Sequence, residues 1–398
     1  MLTLDEMLGQ SAPTGSNLDS KYALHRTKVE ALANLTDAPK MHLAEGFDST
    51  DTLAAIYYEG LDWQGQPTKV FGWVGMPAEY VAPVPAVVLV HGGGGTAFKE
   101  WVRQWTQRGY AAISIAVEGQ TDRKIDGAWE RHAWAGPQRQ GIYHDSAEPL
   151  VDQWMYHAVA DTILAHSLIR SLDGVDARRV GIMGISWGGV ITSTVIGIDD
   201  RFAFAIPTYG CGALATAENH YGNVLGVNMI YQQVWDPMLR LDRATMPTLW
   251  FSWPEDSHFP MDKFAKSYGA VPGEHMVCLV PEMGHGHGPP WSRMESYAFA
   301  DSIVSGAGLW CVATDTSLQS NMCQALFIST RELEGAVLIS TTDTCVSGDR
   351  IWVETPASIV GSSGSYTVTA ALPDGSTAWF INVKQGDLVA SSDYQEVR

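Results

Sequence analysis

Apolar runs that end in glycine alternate with amphipathic segments through the middle of the chain. The run "PAVVLVHGGGG" (85–95) is apolar up to its closing residues, as expected for a strand buried on both faces. Helical spacing follows in "AFKEWVRQWTQRGY" (97–110), and a second apolar run, "AAISIAVEG" (111–119), comes next. Buried strands joined by helical crossovers predict an α/β fold with a mostly parallel central sheet.

The same alternation continues to about residue 305. Two earlier segments, 52–60 and 69–77, have the pattern of an antiparallel strand pair, and a helix is predicted within 21–35. We therefore divide this part of the chain into an N-terminal helical extension (1–48) and an α/β domain (49–306). The remaining predicted helices are 153–172, 187–198 and 292–304, and the remaining predicted strands are 178–186, 202–210, 246–253 and 275–283.

The pattern changes after residue 306. Short alternating segments rich in Val, Thr, Ile and Trp fill the rest of the chain, and "LPDGST" (372–377) is a turn signal between two of them. These segments predict a small all-β sandwich of immunoglobulin-like architecture over 307–398. The predicted strands are 323–330, 335–342, 350–356, 365–372, 377–383 and 387–392.

Two connections, 119–150 and 211–243, are longer than usual. Both follow predicted strands that end at the same edge of the sheet, where α/β proteins build ligand sites. Because both are rich in Trp, Tyr, His and Arg, we expect them to form pocket walls. Trp134, Trp235 and His258 are the candidate substrate-binding side chains, although core packing would explain most of the 15 tryptophans equally well.

Charge and composition narrow the function. The chain carries 44 acidic and 25 basic residues, a net charge of −19, so a nucleic-acid partner is not expected. No apolar run approaches the ~20 residues that cross a bilayer. The start of the chain lacks a basic segment followed by an apolar one. We therefore expect a cytoplasmic protein if the chain is complete, and a secreted or periplasmic one if a signal peptide has been removed.

The five cysteines are too few for a disulfide scaffold in 398 residues. Cys311, Cys323 and Cys345 would allow one bridge, so cysteine usage leaves the redox compartment open.

A G-x-S-x-G motif carries the clearest chemistry. Gly184-Ile185-Ser186-Trp187-Gly188 lies between a predicted buried strand and a predicted helix, the setting in which this motif exposes a nucleophilic serine on a strained turn. The alternative, a glycine-rich turn that binds phosphate at a helix N-terminus, requires G-x-G-x-x-G spacing, which "GIMGISWGG" lacks.

An acid and an imidazole follow the next strands in the order that a catalytic triad of this fold requires. "PEDSHFP" (254–260) supplies Asp256 or Glu255, and "GHGH" (284–287) supplies His285 or His287. Upstream, the bare backbone of "HGGGG" (91–95) can direct an N–H group at a developing oxyanion, and the N–H of Trp187 would be the second donor.

These motifs resemble the α/β-hydrolase superfamily, in the branch that contains acetyl xylan esterases, dienelactone hydrolases and prolyl-oligopeptidase-type peptidases. "VDARRVGIMGISWGG" (175–189) is the most specific match, and the resemblance covers residues from about 50 to about 305. It implies Ser186 as the nucleophile, Asp256 as the acid and His285 as the base. We choose Gly93, the third residue of the "HGG" run, as the oxyanion donor, while Glu255 and His287 stay as the alternative acid and base. The C-terminal segments, with "DGSTAWFINV" (374–383), resemble the region that follows the catalytic domain in proteins described as acetyl xylan esterases.

The expected function is therefore hydrolysis of small acyl esters, acetyl esters first among them and carbohydrate esters included, through an acyl-enzyme and without a cofactor. A serine exopeptidase or acylaminoacyl-type peptidase is the alternative reaction. An inactive hydrolase fold that serves as a binding module is the alternative of another class. A metal held by His258, His285 and His287 is not expected, because a triad already accounts for these positions.

Overall fold

The computed structural model describes residues 18–81, 83–362 and 364–397. The first 17 residues, on which the expectation about a signal peptide rests, lie outside these ranges, as does part of the predicted N-terminal extension.

Within the described residues, helices and strands have the following bounds. The helices are α1 (Ala23–Glu30), α2 (Lys99–Thr106), α3 (Trp154–Arg170), α4 (Trp187–Val195), α5 (His220–Leu225), α6 (Met261–Tyr268), α7 (Pro289–Ser292) and α8 (Glu295–Val304). The first eleven strands are β1 (Met41–Leu43), β2 (Leu53–Glu59), β3 (Lys69–Gly75), β4 (Val84–Val90), β5 (Ala111–Ile115), β6 (Gln120–Ile125), β7 (Ala128–Arg131), β8 (Val175–Ile185), β9 (Phe204–Thr208), β10 (Thr248–Ser252) and β11 (His275–Leu279). The C-terminal strands are β12 (Cys311–Gln319), β13 (Met322–Ser329), β14 (Gly335–Thr341), β15 (Val353–Pro356), β16 (Ser358–Ser362), β17 (Ser365–Ala371), β18 (Ala378–Gln385), β19 (Leu388–Ser391) and β20 (Gln395–Glu396).

A core of parallel strands runs in the order β5-β4-β8-β9-β10-β11, which confirms the predicted parallel sheet. The antiparallel strands β1, β2 and β3 precede this core in the sheet. Nearly every residue of β4, β5, β9 and β10 is buried, because helices and loops cover both faces. The carboxyl ends of these parallel strands therefore meet along one edge.

The C-terminal strands divide between two sheets. β19, β18, β14 and β15 extend the central sheet beyond β11, while β12, β13, β17 and β16 form a separate four-stranded antiparallel sheet. The junction at β11 is bonded through side chains: Leu279 N–H donates to Ser391 Oγ (2.8 Å), and Asn382 Nδ2 donates to Leu279 O (2.9 Å). The region is all-β as expected, and its immunoglobulin-like arrangement stays a prediction.

The structure also bears on the cysteines and on membrane-spanning helices. All five cysteines are free thiols, so the bridge that the C-terminal cysteines would allow is not formed. No helix in the described ranges is long and apolar enough to span a membrane.

His91 connects the end of β4, where the glycine-rich loop (residues 92–95) begins, to the segment that follows β5. Its Nε2 accepts a hydrogen bond from the backbone N–H of Val117 (3.0 Å), and its Nδ1–H donates to Gly92 O (2.7 Å). The ring is almost completely buried, and this burial lowers the pKa of His91 to about 3. The imidazole is therefore neutral wherever the protein is folded at ordinary pH, as its accepting role requires.

We expect His91 to destabilise the fold in acid. Its pKa is about 3 in the folded chain and about 6.5 in the unfolded chain, so between these values the unfolded state binds more protons and stability falls as pH falls. From about pH 7.5 to about pH 5, this residue alone should lower the free energy of unfolding by about 2 kcal/mol. Urea unfolding of the wild type and of His91→Gln at both pH values measures this pH-dependent change in the free energy of unfolding.

The exposed residue His144 provides the control, since His144→Gln should keep the wild-type pH dependence. An equal acid-induced loss in the wild type and His91→Gln would contradict the assignment of a buried, neutral His91.

Candidate active site

Ser186 occupies a tight turn between a strand and a helix. β8 ends at Ile185 and α4 begins at Trp187, so Ser186 alone makes the turn, with a φ of 59° in the left-handed region. Its backbone N–H donates to Thr208 O (2.9 Å), and its carbonyl accepts from Val190 N–H (3.0 Å). These bonds hold the strained residue in place and leave the side chain directed away from the sheet.

The flanking glycines are required by close backbone approach. A Cβ at position 184 would lie 2.0 Å from Gly188 O, and one at position 188 would lie 2.2 Å from Val90 O. Any other residue at either position would force the helix away from the strands.

The hydroxyl of Ser186 lies within a hydrogen-bonded chain of three side chains. Ser186 Oγ donates to His285 Nε2 (3.0 Å), and His285 Nδ1–H donates to Asp256 Oδ2 (2.8 Å). Ser186 follows β8, Asp256 follows β10 and His285 follows β11, so three separate strand ends supply the chain. This is the geometry in which an imidazole can remove a hydroxyl proton while a carboxylate fixes its orientation.

Asp256 is completely buried and fully hydrogen-bonded. Oδ1 accepts from the backbone N–H groups of His258 (2.8 Å) and Phe259 (3.0 Å), and Oδ2 accepts from Trp253 Nε1 (3.1 Å) as well as from His285. Because each oxygen has two donors, the buried carboxylate is compensated and its orientation is fixed.

Aromatic rings hold the imidazole of His285. Tyr209 lies 4.5 Å from it between ring centroids, and Phe259 stacks at 5.9 Å. The Tyr209 hydroxyl also donates to Gly284 O (2.7 Å), which anchors the loop that carries His285.

The alternative acid and base have different partners. His287 Nε2 accepts a hydrogen bond from the backbone N–H of Gly92 (3.0 Å), so this ring supports the glycine-rich loop. Burial lowers the pKa of His287, which favours the neutral, accepting form. Glu255 accepts from Glu282 N–H (3.4 Å) and contacts neither histidine through a described hydrogen bond.

Ser186 opens into a cavity of about 370 Å³. Both long connections contribute to its wall, as their position after β5 and β9 predicts. Neither the N–H of Gly93 nor that of Trp187 donates a hydrogen bond to another described residue. The lining residues are Gly93, Arg139, Gly141, Ile142, Ser186, Trp187, His220, Tyr221, His258 and His285.

Of the candidate substrate-binding side chains, the structure brings only His258 to this cavity. Trp235 is fully buried and its indole N–H donates to Gln153 Oε1 (3.0 Å), so it packs in the interior. Trp134 is 45% exposed but lies beneath the Lys69 ammonium group, away from the cavity lining.

Sequence reasoning missed Arg139, His220 and Tyr221 as individual lining residues. The signal for them was only their location in the two long connections, since nothing in "GPQRQG" (136–141) distinguishes Arg139 from other arginines nearby. His220 Nε2 and His258 Nδ1 are 3.1 Å apart, and burial lowers the pKa of both imidazoles.

Arg139 is the cation of the site. Its Nε lies 3.5 Å from Glu118 Oε1, and burial raises the pKa of the Glu118 carboxyl while Arg139 opposes that rise. Across the described ranges, no cluster of three or more His, Cys, Asp or Glu side chains has an arrangement that could hold a metal ion.

Two family profiles and several solved structures are similar to this chain. The sequence profile of the acetyl xylan esterase (AXE1) family matches residues 25–211, and that of the prolyl oligopeptidase family matches residues 143–300. Among solved structures, an acetyl xylan esterase from Paenibacillus sp. R4 is similar at 21% identity, with a TM-score of 0.56, over 76% of this chain and 99% of that one. Acetyl Xylan Esterase 1 from Thermoanaerobacterium sp. JW/SL YS485 is similar at 16% identity, with a TM-score of 0.58 and the same coverage of both chains.

The fold and the arrangement of its strand ends define an α/β-hydrolase. Within that superfamily, the two profile matches support the branch that contains the acetyl xylan esterases and the prolyl oligopeptidase family.

We expect His287 to stabilise the fold through Gly92. Gly92 is buried, and removing the acceptor of its N–H should lower the free energy of unfolding by about 1–3 kcal/mol. His287→Ala should show this loss in urea unfolding, and His287→Gln, which keeps an acceptor, should lose less. Equal stability of His287→Ala and the wild type would contradict this role.

Proposed function

We propose that the protein is a serine hydrolase that cleaves small carboxylic esters, with acetyl esters of small alcohols and carbohydrates as the first candidates. The observation that carries this proposal is the continuous chain from Ser186 Oγ to His285 to Asp256, at 3.0 and 2.8 Å, at the edge of a cavity. The match to the acetyl xylan esterase profile supports ester substrates.

In the proposed mechanism His285 accepts the proton of Ser186 as the serine oxygen attacks the ester carbonyl. The buried Asp256 carboxylate stabilises the imidazolium that forms. His285 then returns the proton to the departing alcohol, which leaves an acyl group on Ser186. A water molecule, deprotonated by the same imidazole, attacks the acyl-enzyme and releases the acid.

The oxyanion of each tetrahedral intermediate is assigned to the backbone N–H groups of Gly93 and Trp187. Both are without a described partner, and the N–H of Trp187 lies at the first position of α4, where helix geometry leaves donors unpaired. Since Gly92 and His91 are both hydrogen-bonded by neighbouring elements, the loop that carries Gly93 is preorganised for this role.

A serine peptidase is the second candidate, supported by the match to the prolyl oligopeptidase profile over 143–300. Peptidases that release residues from a free amino end require an acidic group for the substrate amine. None of the ten described residues that line the cavity is Asp or Glu. This lining disfavours a peptidase that binds a free amino end, and esters remain the first candidates.

We expect Ser186→Ala and His285→Gln to lower kcat/KM for 4-nitrophenyl acetate by at least about 10³-fold, because each removes a member of a unit that acts together. The matched variant His287→Gln should retain activity within about 10-fold. Full turnover by Ser186→Ala would contradict the proposal, and so would equal losses in His285→Gln and His287→Gln.

A substrate panel separates the two reactions. Acetylated sugars, short-chain nitrophenyl esters and aminoacyl anilides should be compared at equal enzyme concentration, and we expect the esters to be hydrolysed faster. Rapid anilide cleavage with slow ester turnover would favour the peptidase.

A further inference from the structure

We propose that Arg139 forms an anion-binding subsite, so that preferred ester substrates carry a carboxylate group close to the scissile bond. This inference rests on the proposed function and specifies the substrate class of the same site.

Arg139 lies at the place where a substrate would be bound. It lines the cavity together with Ser186 and His285. Its Nη2 is 2.6 Å from the position that a Cβ on Gly93 would occupy, and its guanidinium carbon is 5.4 Å from the ring centroid of Trp187. The guanidinium group is therefore adjacent to both residues that carry the proposed oxyanion donors.

The other contacts of Arg139 fix its orientation and leave one arm available. Nη1 donates to Gly141 O, and Nε faces the Glu118 carboxylate at 3.5 Å. Nη2 donates no hydrogen bond to another residue within the described ranges, and the side chain keeps 20% of its surface exposed. A guanidinium group has five donors in a planar fork that matches a carboxylate, so this arm suits an anionic acceptor.

Among the residues that line the cavity, Arg139 is the group to which an anion would bind. The ten lining residues include one guanidinium, no ammonium group and no carboxylate. Burial lowers the pKa of His220 and His258, which favours the neutral form of both imidazoles. With a net charge of −19, the protein surface repels anions in general, and recognition of an anionic substrate would depend on this local cation.

Glu118 contacts the guanidinium group of Arg139 but is not among the residues that line the cavity. Glu118 is 7% exposed, and its Oε1 lies 3.5 Å from Arg139 Nε, so it contacts the guanidinium group at Nε and not at Nη2. Glu118 therefore acts as a positioning residue for Arg139 and leaves Nη2 available to bind a second carboxylate.

Two pairs of esters test this subsite. The first is 4-acetoxybenzoate with its methyl ester, which places the charge on the alcohol part. The second is mono-4-nitrophenyl adipate with its methyl ester, which places the charge on the acyl part. The readout is the ratio of kcat/KM for the charged ester to kcat/KM for the neutral one, in the wild type, Arg139→Gln and Arg139→Lys.

We expect the wild type to prefer the charged member of at least one pair. Arg139→Gln should lower kcat/KM for that ester by about 10- to 100-fold and for its neutral partner by less than about 3-fold, since only the charged hydrogen bonds are lost. Arg139→Lys should recover part of the preference, because it keeps the charge without the planar fork. Arg178→Gln, at an arginine whose side chain is 91% exposed, should leave the ratio unchanged.

Equal losses on charged and neutral esters in Arg139→Gln would overturn the inference, since they would indicate oxyanion stabilisation or a structural role. The absence of any charge preference in the wild type would overturn it as well. In both cases turnover of the neutral esters would leave the proposed function standing, whereas failure to hydrolyse any of the four esters would overturn the proposed function itself.

Discussion

The left-handed turn at Ser186 is the constraint on which the rest of the site depends. One residue connects β8 to α4, so its φ of 59° sets the direction in which the helix leaves the strand. The helix then passes so close to the end of β4 that position 188 has no room for a side chain. Trp187, which directly follows the serine, carries the first backbone N–H of the helix, and both residues line the cavity at the edge where the parallel strands end.

Around this turn, each buried acid or histidine has its own hydrogen-bond partners, and these partners determine its role. Both carboxylate oxygens of Asp256 accept hydrogen bonds, and His285 lies between Asp256 and the serine. His287 and His91 stabilise the glycine-rich loop and the segment after β5 by accepting backbone hydrogen bonds. The burial that lowers the pKa of His91 and His287 keeps them neutral, and a neutral ring is what an acceptor of a backbone N–H requires. His285 and His287 are only two residues apart in the sequence, yet they have different roles because they have different hydrogen-bond partners.

Much of this arrangement could be predicted from the sequence because it depends on the local pattern of apolar and polar residues. The sequence contains apolar runs at β4, β5, β8 and β10, each about as long as a buried strand. Because these strands are parallel, the loops that follow them all lie at the same edge of the sheet. The hairpin of β6 and β7 was missed because "QTDRKI" and "AWER" are mainly polar, and half of their residues are exposed. Its available signal was Asp126-Gly127, where both residues have positive φ as in a type I′ turn.

Other features depend on tertiary contacts that no local pattern records. Trp235 and Trp134 were equally plausible pocket residues in the sequence, and only the packing around Gln153 and Lys69 separates them from the cavity. The position of Arg139 depends on a long connection folding back over the glycine-rich loop. The continuation of the central sheet through β19 likewise depends on the pairing of Val277 with Ser391, more than 100 residues apart in the chain.

The identity of the nucleophile is the central claim, and covalent labelling tests it most directly. After treatment with diisopropyl fluorophosphate, tandem mass spectrometry of the tryptic peptide 180–201 should place one phosphoryl adduct on Ser186 and none on Ser193, which lies in the same peptide. The His285→Gln variant should label far more slowly, because the serine would lack its base. An adduct on another residue, or unchanged labelling in that variant, would contradict the account.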